Sequence, residues 1–376
     1  MPPINLLIKP ASGLCNMYCD YCFYCDITKK REQASYGIMS ERTLRNVIKK
    51  TLRAAEGSCT IAYQGGEPTL AGLDFFKKSI EYQKRFNIKG LTIHNALQTN
   101  GYGITDEWCR FFKENNFLIG LSVDGVSETH DLHRHSKDGQ PTYDRIMETA
   151  RLLENYGVDF NILTVVNKQT AAHVKKIYQS YKSRGFGFMQ FIACLDPIGE
   201  IGGQREYSLL PENYGRFLIE LFDLWYKDYK KGCQPYVRFF ENYITLLLGM
   251  GAESCEQNGV CGIQNVVEAD GEVYPCDFYV LDEYKLGNLN EVSMAEIYEK
   301  RKEIGYVERS YNHSAECRAC PYFHVCRGGC NRHRNLDEVT GDYVNYFCPA
   351  YKMFFDECYD RLAAVAAETA QRMQNR

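Results

Sequence analysis

Short apolar runs alternate with amphipathic stretches through the first half of the chain. Six runs have the length and apolar content of buried strands, and between them apolar residues recur every three or four positions, as on one face of a helix. The strand-like runs are 5–9, 60–64, 91–98, 117–123, 160–166 and 188–193. The helix-like stretches are 41–55, 75–86, 106–115, 143–156 and 172–184. This order predicts an α/β fold with a parallel sheet, because parallel strands need crossover connections that helices supply.

Residues suited to ligand contact follow the ends of the predicted strands. Parallel sheets and barrels bind their ligands at the carboxyl ends of the strands. We therefore expect these positions to converge on one opening, and six strand–helix units predict an open, partial barrel rather than a closed eightfold one. The positions are Cys15, Gly65, Gly66, Glu67, Ser122, Asp124 and Leu195.

The alternation ends after a further amphipathic stretch at 212–231, and the cysteine content then rises. We predict a boundary near residue 235, with a sheet domain at 1–235 and a cysteine-rich domain at 236–376 that ends in a helix. The cysteines of the second domain that form close-spaced patterns are Cys255, Cys261, Cys276, Cys317, Cys320, Cys326, Cys330 and Cys348.

The composition of the chain argues against a nucleic-acid-binding, a secreted or a membrane-spanning protein. Lys and Arg total 44 and Asp and Glu total 48, a net charge of −4, so we expect no general surface for nucleic acid. The N-terminus lacks a secretory signal and no run of about 18 apolar residues occurs, so we expect a soluble, cytoplasmic protein without a membrane span. In a reducing cytoplasm, seventeen cysteines favour metal ligation over disulfides. Six cysteines outside the patterns are expected to be buried small hydrophobes: Cys25, Cys59, Cys109, Cys194, Cys233 and Cys358.

The most informative pattern is Cys15-x3-Cys19-x2-Cys22, directly after the first apolar run. It offers three thiolates, so a cubane cluster bound there keeps one iron open for a small molecule. A zinc site usually presents a fourth ligand, and no adjacent histidine completes this one.

This triplet resembles the signature of radical S-adenosylmethionine (SAM) enzymes, in which three cysteines hold a 4Fe–4S cluster and SAM chelates the fourth iron. The segment Gly65-Gly66-Glu67 resembles the glycine-rich strand end that binds the amino group of SAM, where glycine lets the backbone approach closely. The resemblance implies further SAM contacts to the ribose, the carboxylate and the adenine. They are Ser122, Asp124, Arg134, Tyr21 and Leu195.

The eight patterned cysteines of the second domain resemble the SPASM extension of peptide-modifying radical SAM enzymes. The resemblance implies two fully ligated auxiliary 4Fe–4S clusters, so the protein would hold three clusters and SAM. It sorts the ligands as Cys255, Cys261, Cys276 and Cys330 for the first and Cys317, Cys320, Cys326 and Cys348 for the second. A zinc ribbon at Cys317-x2-Cys320 is the alternative, and it leaves the other thiols unexplained.

Within this superfamily the chain resembles the anaerobic sulfatase-maturating enzymes almost from end to end, most tellingly over Tyr274-Pro275-Cys276-Asp277-Phe278. The resemblance implies oxidation of a sulfatase Ser or Cys to formylglycine, with Asp277 as the general base that takes the side-chain proton. An aspartate that caps a turn is the structural alternative. Tyr24 and Gln64 are candidates for orienting the substrate peptide.

The implied partners are an unfolded sulfatase segment or peptide and a reduced flavodoxin or a ferredoxin-like protein as electron donor. Two other functions stay open at this point. A maturase that crosslinks a ribosomally made peptide would use the same three clusters, and a noncatalytic iron–sulfur scaffold would not cleave SAM.

Overall fold

The computed structural model describes residues 2–336 and 341–375. Met1, Arg376 and the four positions 337–340, which the predicted domain ranges include, lie outside the described residues. The strands are β1 Ile4–Ile8, β2 Met17–Cys19, β3 Ser58–Tyr63, β4 Thr92–Thr99, β5 Phe117–Ser122, β6 Arg134–Ser136, β7 Phe160–Val166, β8 Phe188–Ala193, β9 Tyr236–Val237, β10 Asn265–Val267, β11 Glu272–Tyr274, β12 Gly287–Asn288, β13 Arg334–Leu336 and β14 Tyr343–Asn345.

The helices lie between and after these strands. They are α1 Phe23–Lys29, α2 Glu41–Ala54, α3 Leu73–Phe86, α4 Asp106–Glu114, α5 Ser127–His130, α6 Tyr143–Asn155, α7 Lys168–Ala171, α8 Val174–Ser183, α9 Pro211–Tyr229, α10 Arg238–Leu247, α11 Cys255–Asn258, α12 Met294–Glu303, α13 Tyr306–Arg309, α14 Ala315–Ala319, α15 Phe323–Cys326 and α16 Cys348–Gln374. Within the described ranges, no helix is both long enough and apolar enough to span a membrane.

The predicted alternation of strands and helices is confirmed. The six predicted strands correspond to β1, β3, β4, β5, β7 and β8, with ends that differ by at most two residues. The stretch predicted at 172–184 is α8, which begins at Val174 after the separate short helix α7. The hydrophobic periodicity was sufficient for elements such as β3 and β5, which alternate buried with less buried residues, and α2, which buries one apolar face.

The described chain separates into two compact units. The first comprises Met1–Val123, His130–Asn161 and Ile263–Tyr306, and the second comprises Asp124–Thr129, Ile162–Gly262 and Val307–Arg376. The domain boundary near residue 235 stays a prediction.

The first unit is built on strands in the order β12-β11-β10-β1-β3-β4-β5. Strands β10, β1, β3, β4 and β5 run parallel to one another, whereas β11 is antiparallel to both β10 and β12. In this register Ile8 lies between Tyr63 and Val267. Sequence analysis missed β10 to β12, because strands of two or three residues are too short to show a period.

Helix α2 shows how the sequence builds the layer beside these strands. Ser40 accepts a hydrogen bond from the Thr43 amide at 3.1 Å and so caps the first turn. Leu44, Val47 and Ile48 follow at helical spacing and are fully buried. The helix therefore packs one apolar face inward.

The second unit contains the parallel strands β8 and β9, the part of β7 from Ile162 onward, and the longest helices. Aromatic side chains of α9, α10 and α16 form its core, in which the rings of Trp225 and Phe240 are 5.4 Å apart and those of Phe240 and Phe354 are 6.0 Å apart. This core supports the segments that bear the C-terminal cysteines.

Candidate active site

The cysteine triplet lies on the segment between β1 and α1 of the first unit. Strand β2 pairs with β6 and places Cys19 opposite Arg134, and Cys22 directly precedes the first turn of α1. Asn100 Nδ2 lies 3.7 Å from Cys15 Sγ. The cysteine segment therefore contacts β6 at Cys19 and Asn100 at Cys15.

The electrostatics of the triplet favour a thiolate at Cys22. A hydrogen bond from the Cys25 thiol is the main cause that lowers the pKa of Cys22 to about 6, while burial raises the pKa of Cys15. The thiolate is the form that binds metal. Cys25 is exposed, and so is Cys233, so the expectation that both are buried hydrophobes was wrong; Cys25 follows Cys22 by one helical turn and interacts with it. The other four cysteines of that group are buried as expected.

The two glycines at the end of β3 are required by contacts within the protein. Gly66 has φ of +54°, and a Cβ there would collide with the carbonyl oxygen of Leu14, next to Cys15. Gly65 has φ of +116°, and a Cβ would lie 2.8 Å from Lys9 Nζ. The end of β3 therefore packs tightly, Gly66 against the cysteine segment and Gly65 against the Lys9 side chain, only because neither residue has a Cβ.

Glu67 is fully buried, and its carboxylate binds the protein itself. It accepts hydrogen bonds from the Thr69 amide at 3.0 Å, from Thr99 Oγ1 at 2.8 Å and from the Asn100 amide at 2.8 Å. Burial raises the pKa of Glu67, and these donors oppose that shift. The side chain joins the ends of β3 and β4, and its oxygens are bound within the protein.

Two of the predicted SAM contacts lie together in the first unit. Arg134 is buried and its Nη1 donates to Tyr21 Oη at 3.1 Å, directly beside Cys19. The Tyr21 ring is edge-on to His133, with 6.1 Å between centroids. Ser122 ends β5 in the same unit and is half-buried.

The other two predicted SAM contacts belong to the second unit. Asp124 is fully buried, and its Oδ1 accepts a hydrogen bond from the Val165 amide at 2.9 Å. Leu195 follows β8, is half-buried and lines a cavity with Asp196 and Arg332. Asp124 therefore supports the backbone of β7, and a leucine at an open cavity suits an apolar contact.

Asp277 begins a short 3₁₀ turn immediately after Cys276 in the first unit. Lys9 Nζ forms an ion pair with Asp277 Oδ1, and Gln64 Nε2 donates to Oδ2 at 2.7 Å. Asp277 is 7% exposed and Lys9 is fully buried. Lys9 and Gln64 each follow the last residue of adjacent parallel strands, so the sheet itself sets both donors around one carboxylate.

A second buried polar cluster lies beside this ion pair. Tyr24 Oη donates to Glu268 Oε2 at 2.5 Å, and Arg31 Nη1 pairs with the same oxygen at 2.7 Å. Lys9 Nζ lies 3.8 Å from the centroid of the Tyr24 ring. The Tyr24 hydroxyl is thus bound within the protein, and its ring packs against the cation that holds Asp277.

Sequence analysis missed Lys9, Arg31 and Glu268. A lysine at the buried end of an apolar strand is a signal that could have identified Lys9, because such a cation needs a partner. Arg31 and Glu268 are 237 residues apart in the chain, so no local pattern relates them.

Four of the C-terminal cysteines line one cavity in the second unit. They are half-buried, and Arg334 lines the same cavity. The four are Cys317, Cys320, Cys326 and Cys348. Cys255, Cys261 and Cys330 belong to the same unit, whereas Cys276 belongs to the first. Within residues 2–336 and 341–375, no three Cys, His, Asp or Glu side chains converge on a point suited to a single metal ion.

Two family models match the chain. Residues 10–180 match the Radical SAM superfamily, and residues 260–321 match SPASM, an iron-sulfur cluster-binding domain. The fold and the cysteine segment therefore define a radical SAM enzyme with an auxiliary-cluster domain, which confirms the predicted fold class of a partial (β/α)6 barrel followed by SPASM.

Similar proteins narrow this class. The chain is 47% identical over 367 residues to a cysteine-type anaerobic sulfatase-maturating enzyme of Clostridium perfringens, covering 97% of this chain and 99% of the relative. It is 31% identical over 370 residues to a serine-type anaerobic sulfatase-maturating enzyme of Bacteroides thetaiotaomicron, covering 94% of this chain and 89% of the relative. A solved structure of native anSMEcpe with bound AdoMet and Cp18Cys peptide matches with a TM-score of 0.93 and 46% identity, covering 98% of this chain and 100% of that one. The chain belongs to the anaerobic sulfatase-maturating enzymes.

Family membership confirms the predicted activity. The protein is a radical SAM oxidoreductase that converts Cys or Ser of a sulfatase to formylglycine, with SAM and three 4Fe–4S clusters as cofactors. The alternative of a peptide-crosslinking maturase is not favoured, because relatives that are 47% and 31% identical over 97% and 94% of this chain are sulfatase-maturating enzymes.

The residues present fit these cofactors. The glycine end of β3 packs closely on the Cys15 segment, and Cys22 favours its thiolate. Four half-buried cysteines share one cavity in the second unit, as the ligands of a cubane must, because each binds a different iron.

Proposed function

We propose that the enzyme oxidises a cysteine of an unfolded sulfatase segment, with Asp277 as the general base. The observation that carries the proposal is that both oxygens of the Asp277 carboxylate have a partner. Lys9 forms an ion pair with Oδ1, and Gln64 donates a hydrogen bond to Oδ2. A base must be oriented toward the proton that it takes, and two donors on separate strands prevent the carboxylate from rotating.

The ligand assignments extend this proposal. Cys15, Cys19 and Cys22 hold the SAM-binding cluster, and the eight C-terminal cysteines hold the two auxiliary clusters. Arg134 binds the SAM carboxylate, for which a guanidinium fork is the best match, and Ser122 binds the ribose. The remaining predicted contacts with SAM are Tyr21, Gly65, Gly66, Glu67, Asp124 and Leu195.

SAM and the clusters, held by the cysteines assigned above, would supply one-electron chemistry: removal of a hydrogen atom from the substrate Cβ and acceptance of one further electron. Asp277 takes the proton of the substrate thiol, so that the carbon is oxidised by two electrons to a thioaldehyde, and water then replaces the sulfur, which leaves as hydrogen sulfide, to give the aldehyde. Gln64 stays within reach of the peptide beside Asp277, whereas Tyr24 acts through its ring, since its hydroxyl binds Glu268.

We further propose the electron donor of the enzyme and the compartment in which it acts. A reduced flavodoxin or a ferredoxin-like protein donates the electron for SAM cleavage, and the reaction takes place in the cytoplasm. A reducing compartment keeps the eleven cluster cysteines from forming disulfides and presents the sulfatase before it folds. A net charge of −4 supports a protein rather than a nucleic acid as the macromolecular substrate.

The cysteine preference is supported by the higher identity to the cysteine-type relative, 47%, than to the serine-type relative, 31%. It is tested by competition between two peptides that differ only at one position, Cys-x-Pro-x-Arg and Ser-x-Pro-x-Arg. Products are trapped with a hydrazide and measured by mass spectrometry. Faster hydrazone formation from the serine peptide would contradict the preference.

The role of Asp277 is tested with Asp277→Asn in anaerobically reconstituted enzyme. We expect 5′-deoxyadenosine to form still, while trapped aldehyde falls by about 10²-fold or more, because general base catalysis is worth that much. Asp282→Asn is the matched control, since Asp282 begins the next 3₁₀ turn and pairs with Lys285 at 2.6 Å. Normal aldehyde yield from Asp277→Asn would remove Asp277 from this role.

A further inference from the structure

Arg334 lies at the centre of the cysteine-bearing segments of the second unit. It begins β13, is 8% exposed and uses all three of its nitrogens as hydrogen-bond donors. Each acceptor is a backbone carbonyl. The five bonds run from Nη1 to Ser310 at 2.7 Å and Asn312 at 3.2 Å, from Nη2 to Gly259 and Gly329 at 2.9 Å each, and from Nε to Gly328 at 3.4 Å.

The carbonyls that bind Arg334 come from the segments that present proposed cluster ligands. Gly259 lies two residues before Cys261, and Ser310 Oγ accepts a hydrogen bond from the Cys261 amide at 2.9 Å. Gly328 and Gly329 lie between Cys326 and Cys330. One guanidinium therefore joins segments that belong to both proposed auxiliary clusters.

Among the described residues, the acidic groups that influence Arg334 are cysteines rather than carboxylates. Within residues 2–336 and 341–375, no Asp or Glu forms an ion pair with it. Burial lowers the pKa of Arg334, and the cysteines on both sides oppose this shift. They are Cys330, Cys261, Cys317 and Cys326. A guanidinium stays protonated in proteins, so a buried cation lies among thiols of two sets.

We propose that Arg334 is a positioning residue whose buried positive charge raises the reduction potentials of both auxiliary clusters. The inference rests on the ligand assignment proposed above. A cluster with four thiolates is an anion and becomes more negative when it is reduced, so a nearby fixed cation stabilises the reduced form. Clusters of higher potential are better acceptors for the electron that the substrate loses.

A purely structural role for the same residue predicts different behaviour. Five hydrogen bonds to carbonyls would hold the segments together whatever the charge of the clusters. The two roles are separable, because Arg334→Lys keeps the cation and loses most of the hydrogen bonds, whereas Arg334→Gln loses both.

The experiment measures potentials without substrate or SAM, so it does not depend on formylglycine formation. Cys15, Cys19 and Cys22 are replaced by alanine, which leaves the auxiliary clusters as the source of the signal. Midpoint potentials are then measured by redox titration followed by electron paramagnetic resonance. We expect Arg334→Gln to lower both midpoints and Arg334→Lys to stay near the parent, while both variants unfold at lower temperature.

Every other outcome either supports or overturns a definite statement. Unchanged midpoints in Arg334→Gln with full iron content, or an equal fall in Arg334→Lys, would assign Arg334 to structure alone and overturn the proposal. If Arg334→Gln loses iron, retention of iron and potential by Arg334→Lys supports the charge, and loss in both variants overturns it. Loss of all cluster signals in the triple-alanine parent would contradict the ligand assignment instead.

A matched control separates the loss of an arginine from its position. Arg145 Nη2 donates to the Ile104 carbonyl at 2.6 Å and Nε donates to the Tyr102 carbonyl at 3.2 Å, in the first unit. Arg145→Gln therefore removes a guanidinium bound to backbone carbonyls away from the C-terminal cysteines. The midpoint potentials of Arg145→Gln should equal those of the parent. A shift in Arg334→Gln can then be assigned to the position of Arg334 rather than to the loss of any arginine.

Discussion

Lys9 and Asp277 form an ion pair in which the ammonium group is fully buried. The two residues are far apart in the chain, and β1 and β10 bring them together by pairing Ile8 with Val267. A buried ammonium needs a counter-charge, and a buried carboxylate needs a cation. The pairing of β1 with β10, rather than the 3₁₀ turn that contains Asp277, therefore supplies the partner of the proposed base.

Removal of the ammonium in Lys9→Met should reduce both stability and product formation. Breaking a buried ion pair leaves an uncompensated charge and costs about 3 kcal/mol. We expect aldehyde formation to fall at least tenfold relative to SAM cleavage, because Oδ1 of Asp277 loses its partner. Anaerobic urea unfolding and the ratio of hydrazone to 5′-deoxyadenosine measure the two effects.

Lys182→Met is the control for this substitution. Lys182 Nζ pairs with Asp228 Oδ2 at 2.5 Å in the second unit. That variant should lose stability without changing the ratio of aldehyde to cleaved SAM. An equal change of the ratio in both variants would show that general destabilisation, not the partner of Asp277, is responsible.

Gln64→Leu tests the second contact of Asp277. The amide of Gln64 donates to Oδ2 at 2.7 Å, and a leucine of similar size leaves that oxygen without its donor. We expect about a tenfold loss of aldehyde with little change in SAM cleavage, since one hydrogen bond to a charged group is worth about 1.5–3 kcal/mol. Gln83→Leu, which breaks a 2.9 Å bond to Asn95 in the same unit, should leave the ratio unchanged.

Gly66→Ala should impair binding of the SAM cluster. The added Cβ collides with the Leu14 carbonyl, so the segment that carries Cys15 must move. Gly72→Ala is the control, because Gly72 also has positive φ, +81°, but has open space around its Cβ position. Iron content and the electron paramagnetic resonance of reduced enzyme with SAM should fall in Gly66→Ala only. Full iron binding in Gly66→Ala would contradict this account.

The raised pKa of Glu241, on α10, leads to a prediction of how the stability of the protein depends on pH. Burial, with help from nearby Glu253, raises the pKa of Glu241 to about 7. A carboxyl whose pKa is higher in the folded state than in the unfolded state binds more protons when folded, so stability falls as pH rises from about 4.5 to about 7. Glu241→Gln should therefore stabilise the protein above pH 7 by about 1–2 kcal/mol, after its partial exposure is discounted, and have no such effect near pH 4.5.

Thermal unfolding of cluster-loaded protein at several pH values measures this difference. The midpoints of wild type and Glu241→Gln should separate progressively across the same range. Parallel curves would show that Glu241 does not titrate within it.

Local patterns were sufficient for the six strands of five or more residues, for the longer helices between them, for α9 and for the cysteine groups. The period of apolar residues marks β7 and β8 to the residue, and the spacing of Cys15, Cys19 and Cys22 identifies the superfamily. The role of Asp277 stays a prediction from the resemblance, although its two bound oxygens agree with it. The exposure of Cys25 was misjudged because its position three residues after Cys22 does not show whether its side chain is buried.

The sequence by itself determined the alternation of strands and helices, the number and grouping of the cysteines and the glycines at the end of β3, because these depend on residues close together in the chain. Tertiary structure alone decided that Lys9 and Gln64 hold Asp277, that Arg31 pairs with Glu268, and that Arg334 joins the segments of both cysteine groups. The physical reason is that buried charges must find partners wherever the fold places them, and pairing between distant strands sets those partners.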